Sequence, residues 1–222
     1  MRMLVRFGKN PRLRFISHLD LQRFFQRALN RTGLPIAFSQ GFNPHPLLSF
    51  GSALALGWTS EYEIIDVKLA VPMGRKRTEE AMRAALPIDL PVLEVRLVDD
   101  KHPAPMAMVC ASDYEIELNG DSAEATLNAI DTFLSMESVM AMRKTKSGEK
   151  EVDIRPWAFC IKRTSCGMNV RLKATEKDTL KPDLLVRTLA QIAGVEVPEA
   201  KIHRKCLLGE DANGELKPLM EL

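Results

Sequence analysis

The sequence predicts an α+β chain of two tandem split βαβ, or ferredoxin-like, domains, and three observations carry that prediction. Short β-rich runs and segments of helical period follow one another in the order strand, helix, strand, strand, helix, strand. After the proline-containing stretch HPAPMA (102–107) the same order begins again, which places the domains at 1–104 and 105–222. Hydrophobic residues make up 45% of the 222, enough for packed cores, yet no apolar run is long enough to cross a membrane.

MLVRFG (3–8) alternates and reads as a strand. SHLDLQRFFQRALNRTG follows, with Ser17 and Asp20 spaced as a capping box. Leu21, Phe24, Phe25, Ala28 and Leu29 recur at helical spacing, and Gly33 is a natural stop, so a helix is expected over 17–32. Strands are expected at 35–39, 61–71 and 92–99, with a short helix opening at Thr78 and ending before Pro87. In the second half, strands are expected at 109–118 and 138–144, a helix at 122–136, and a hairpin from 158–163 and 168–174. A helix at 182–194 has Pro182 in its first turn and Gly194 after its end, and a last strand spans 200–208.

The formal net charge of +2 conceals two basic blocks. Residues 1–33 hold eight basic side chains, Arg2, Arg6, Lys9, Arg12, Arg14, Arg23, Arg27 and Arg31, against one acid, Asp20. Residues 140–175 hold a second excess, including Lys144, Lys146, Lys150 and Arg155. Two such blocks in an otherwise acidic chain suggest two patches for a polyanion. Arg23, Arg27 and Arg31 fall at i, i+4 and i+8, one stripe on the first helix, and arginine forks match phosphate geometry. A solvated helix face explains the same stripe. In the polar stretch KTKSGEKEVDIRPW (144–157) the lysines suit phosphate contacts, and Trp157 serves either as a stacking surface or as a core anchor.

The segment SQGFNPHPLLSFG (39–51) sets His45 between two prolines, on stiff, irregular backbone. If it folds back toward the first helix, Ser17, His18, Asp20, Asn43 and His45 form one pocket at a helix N-terminus, where an anion is favoured. Capping or packing histidines, an anion site, and an acid–base pair of His18 and His45 for RNA cleavage all fit. No metal set is expected, since HxH and HxxxH spacings are lacking, and no cofactor is expected. Walker, dinucleotide, HExxH and GxSxG motifs are absent, so the sequence does not announce an enzyme. Cys110, Cys160, Cys166 and Cys206 form no CxxC pair, and the N-terminus lacks a secretory apolar stretch, which together suggest a cytoplasmic protein.

The stretch from Arg14 to Gly57, with its SHLD (17–20) and GFNPHP (41–46) elements, resembles the opening of the radical SAM-linked proteins, a bacterial family of unknown function. EKEVDIRPW (149–157) resembles that family's second motif, through Asp153, Ile154, Arg155 and Pro156. In that family the domain stands alone or is fused behind a B12-binding radical SAM protein, and its genes neighbour those of an E/G-type ribonuclease and of ribosomal proteins. The resemblance implies an accessory module in transfer or ribosomal RNA modification or maturation, with a radical SAM protein and RNA as partners. The chain has no CxxxCxxC, so the cluster would be the partner's. A protein–protein adapter without RNA is the alternative, and a metal-independent ribonuclease a further one. The pattern of tandem domains is also similar to CRISPR repeat-processing ribonucleases, a likeness of fold pattern alone.

Overall fold

The computed structural model describes residues 1–145 and 148–222. The chain is a mixed α/β protein. In order, its elements are β1 (Arg2–Lys9), α1 (His18–Arg31), β2 (Leu48–Phe50), β3 (Thr59–Lys68), α2 (Arg75–Ala85), β4 (Val92–Val98) and α3 (Pro105–Met108). There follow β5 (Ala111–Asn119), α4 (Ala123–Ser135), β6 (Met140–Thr145), β7 (Gly148–Asp153), β8 (Ala158–Arg163) and β9 (Gly167–Lys173). Last come α5 (Pro182–Ala193), β10 (Glu199–Glu210) and β11 (Leu216–Pro218). Two compact units result: Met1–Val109 together with Cys206–Leu222, and Cys110–Lys205. The final segment thus returns to the first unit, which no linear cut of the sequence represents.

In the first unit the strands run β4-β1-β3, and both β2 and β10 pair with β3. β1 is antiparallel to β3 and to β4, with Val5 opposite Ile65 on one side and Val95 on the other. The apolar face of α1 closes over this sheet: Phe25 is fully buried and lies 4.7 Å from Phe7 and 5.8 Å from Phe50, ring centre to ring centre. Leu21 and Leu29, one turn to either side, complete the stripe that helical spacing announced. The expected strand at 35–39 is reduced to single bridges, Ile36 with Leu69 and Phe38 with Pro46. Proline at 35 and again at 46 leaves too few donors for a ladder there.

In the second unit the order is β10-β5-β9-β8, with α4 and α5 packed together. α5 ends as its sequence predicts: Gly194 takes φ 67°, and its N–H reaches back to Ala190 and Gln191. β6 and β7 form a separate two-stranded hairpin, Met140 opposite Asp153 and Arg143 opposite Lys150. Part of the polar stretch 144–157 is therefore strand. Lys146 lies outside the described residues.

Candidate functional site

The start of α1 is a complete cap. Ser17 Oγ accepts from the Asp20 N–H at 3.2 Å and donates to Asp20 Oδ2 at 2.7 Å, while Arg23 Nη1 donates to Asp20 Oδ1 at 3.3 Å. The Ser17 hydrogen bond first, and then the Arg23 and Arg27 charges, hold the Asp20 carboxyl below its ordinary range. Asp20 is thus spent on the cap. Arg12, Arg14, Arg23, Arg27 and Arg31 are all exposed on α1 and the turn before it.

That turn is pinned from beneath by an unusual group. Lys9, at the end of β1, is only 2% exposed. Its Nζ donates to the carbonyls of Arg14 and Ile16, each at 3.1 Å, and the Gly57 N–H donates to the Arg14 carbonyl at 2.8 Å. Burial pushes the Lys9 ammonium below its usual value, and the charge of buried Glu63 pulls it part of the way back. Between the two pinned carbonyls sits Phe15, 68% exposed, with the Arg14 guanidinium 4.5 Å from its ring centre.

The GFNPHP segment forms a loop with a latched neck. The Ser39 N–H donates to the His45 carbonyl at 2.9 Å, and the His45 N–H donates to Ser39 Oγ at 3.1 Å. His45 Nδ1 lies 3.0 Å from Ser39 Oγ and 3.3 Å from the Asn43 carbonyl. Gly41 takes φ 118°, which only glycine adopts readily, and Phe42 beside it is fully exposed. The chain then enters β2, where Phe50 meets the His18 ring edge-on at 4.8 Å. The segment does fold back to the helix start, through Phe50. Among the described residues no hydrogen bond or ring contact joins His18 to His45.

The second motif fastens its own hairpin. Asp153 Oδ1 accepts from the N–H groups of Val139 at 2.9 Å and Arg155 at 3.0 Å, which holds its carboxyl below the usual range. Arg155 donates through Nη2 to the Leu134 carbonyl at 3.1 Å, at the C-terminal turn of α4, and lies over the Phe133 ring. Its guanidinium is committed to the chain rather than to solvent. Beside it, Arg143, Lys150, Trp157, Lys177 and Asp178 line an open cleft of about 600 Å³. Arg143 lies 5.6 Å from the Trp157 ring centre and donates to the Lys177 carbonyl at 2.9 Å. Lys144 and Lys150 are exposed. Among the described residues no three His, Cys, Asp or Glu side chains are grouped to hold a metal ion, and no helix is long and apolar enough to cross a membrane.

A profile of the family described as an uncharacterized protein conserved in bacteria, DUF2344, matches residues 2–182. The chain belongs to that family. Both the SHLD and GFNPHP elements and the VDIRP stretch lie inside the matched part of this DUF2344 chain. No curated protein sequence matches it. Among solved structures, a chain in the crystal structure of a Cbf5-Nop10-Gar1 complex is similar, with a TM-score of 0.50 and 10% identity. The alignment covers 91% of the DUF2344 chain but 47% of the other, so the chain spans about half the length of that neighbour. At that identity the likeness concerns the fold alone.

Sequence reasoning counted Lys9 only as one charge of the basic block and Phe42 only as part of the GFNPHP motif, and gave Phe15 no role. The signal for Phe15 was its place among Arg12, Arg14 and Lys9, and for Phe42 its place after a glycine in a proline-stiffened loop.

Proposed function

We propose that this DUF2344 chain is an accessory RNA-binding module of the cytoplasm, acting with a radical SAM enzyme in transfer or ribosomal RNA modification or maturation. One observation carries the RNA reading. Five exposed arginines gather on α1 and its preceding turn, in a stretch whose single acid is occupied by the helix cap. Their forks suit phosphate oxygens, and no nearby carboxylate beyond Asp20 competes for them within residues 1–33. The radical SAM partnership rests on the SHLD and GFNPHP resemblance. Both units are read as split βαβ folds, which the strand orders β4-β1-β3 and β10-β5-β9-β8 support.

The test is binding of labelled bulk transfer and ribosomal RNA at about 50 and about 200 mM salt. Phosphate contacts release counterions, so affinity should fall steeply between the two. Arg23→Ala/Arg27→Ala should weaken binding roughly tenfold and flatten the salt dependence by about 0.7–0.9 log units for each phosphate no longer neutralised. Indifference to RNA at low salt sinks the proposal. The adapter reading draws on Leu19 and Leu56, both exposed by more than 60%, and predicts co-purification with a protein partner that survives nuclease treatment. The ribonuclease reading gains no support: His45 is spent on the loop neck and His18 packs on Phe50.

A further inference from the structure

The proposed function leaves open which form of RNA is held, and Phe15 and Phe42 bear on that. Isolated exposed apolar residues are ordinary. These two differ because each stands on backbone fixed on both sides. The residues flanking Phe15 have their carbonyls held by the Lys9 ammonium, and that of Arg14 takes a second bond from Gly57. A buried cation is a costly way to hold a turn, and the ring it holds in place points to solvent. Phe42 is set out in the same manner, by the left-handed Gly41 and by the reciprocal Ser39–His45 bonds that close the loop behind it.

The surroundings define the occupant. Phe15 is flanked by Arg12 and Arg14, in the part of the chain with the strongest excess of positive charge. The Arg14 guanidinium already lies against its ring. An aromatic ring held rigidly beside phosphate-binding arginines is suited to stacking on a nucleobase, and every base offers such a face. Bases in a duplex are already stacked on their neighbours, and the A-form minor groove offers their edges rather than their faces. We infer that Phe15 and Phe42 are base-stacking platforms and that the ligand is unpaired, single-stranded RNA. This inference rests on the RNA-binding reading above.

The experiment compares a short single-stranded oligouridylate with a blunt-ended, two-strand RNA duplex of equal charge, by fluorescence anisotropy at low and physiological salt. The full chain and its Phe15→Leu, Phe42→Leu and Phe15→Trp variants are used. Leucine keeps the apolar surface and removes the ring, and tryptophan keeps a ring. Single strand should bind more tightly than duplex. Each leucine variant should lose about tenfold for the single strand with unchanged salt dependence, and Phe15→Trp should bind as the parent does. Equal affinity for the two RNAs overturns the inference and leaves the RNA-binding reading standing, as do leucine variants that bind the single strand like the parent. A parent chain that binds neither RNA removes the reading beneath it as well. Loss of a protein partner in the leucine variants, with RNA binding intact, reassigns both rings to a protein interface and also overturns the inference.

Discussion

Replacing Lys9 by methionine keeps most of the volume of the stem and removes the charge that pins the turn before α1. Two charge-assisted hydrogen bonds at 3.1 Å disappear, each worth about 1.5–3 kcal/mol. The Arg14 carbonyl keeps its bond from Gly57, and the ammonium no longer has to be desolvated; both soften the loss. Against that, Glu63, 1% exposed, loses the balancing charge of Lys9. With the two hydrogen bonds lost and the desolvation relief set against them, a net loss of about 3 kcal/mol is expected. Urea unfolding followed by far-ultraviolet circular dichroism measures the global effect. Hydrogen exchange at the Gly57 amide measures the local one, and roughly 100-fold faster exchange corresponds to that loss. The double variant Lys9→Met/Glu63→Gln should recover part of it. A single variant within about 0.5 kcal/mol of the parent, with Gly57 exchange unchanged, would refute the claim that Lys9 holds this turn.

Tyr62 gives a pH-dependent expectation. Burial pushes its hydroxyl from 10.0 up to about 12, and the hydroxyl accepts from the Met220 N–H at 3.1 Å. A folded value above the unfolded one means that the stabilisation is complete below pH 10 and is lost as pH rises toward 12. At most that is worth about 3 kcal/mol. Tyr62→Phe should cost ~1 kcal/mol at neutral pH and flatten the alkaline decline of the urea midpoint. Lys9 works with the opposite sign just below pH 10.5 and cancels between parent and variant. At Gly167, a Cβ would collide with the Ile116 carbonyl oxygen, across the ladder that pairs β9 with β5. Gly167→Ala should lower stability by at least about 3 kcal/mol or leave the chain insoluble, as a thermal melt or a solubility assay would show.

α1 was legible in the sequence because every cue was local: a capping box at Ser17 and Asp20, an apolar stripe through Phe25, and a glycine stop. α5 was legible for the same reason, with Pro182 at one end and Gly194 at the other. β2 escaped notice because three residues after a proline carry no periodicity, and the strand exists through its pairing with β3. β7 escaped because GEKEVD has a single apolar residue, Val152, and so no alternation to read, and its partner β6 makes it a strand. At the candidate site the motifs stood out, but their roles did not. A histidine between prolines reads as chemistry until its neck partner Ser39 is in view. Arg155 reads as a phosphate ligand until the Leu134 carbonyl is seen beneath it. Lys9 reads as one more charge of the basic block, since burying a lysine is a property of packing that no local pattern announces.

The first unit is built from two ends of the chain with the whole second unit encoded between them. As the ribosome works from the N-terminus, β3 emerges early with β1, itself paired to β4, on one side, while β2 covers only Ile65–Val67 of the other. The rest of that edge awaits β10, nearly 140 residues later. Residues 110–205 can meanwhile collapse as one contiguous piece. During synthesis the arginine-bearing unit thus has an open strand edge, a template for wrong pairing, until β10 has been made and closes it. Arg96 and Tyr62 then secure the arriving segment through the Met220 and Leu222 carbonyls and the Met220 N–H. Of the two units, the one that meets the proposed ligand is therefore finished later.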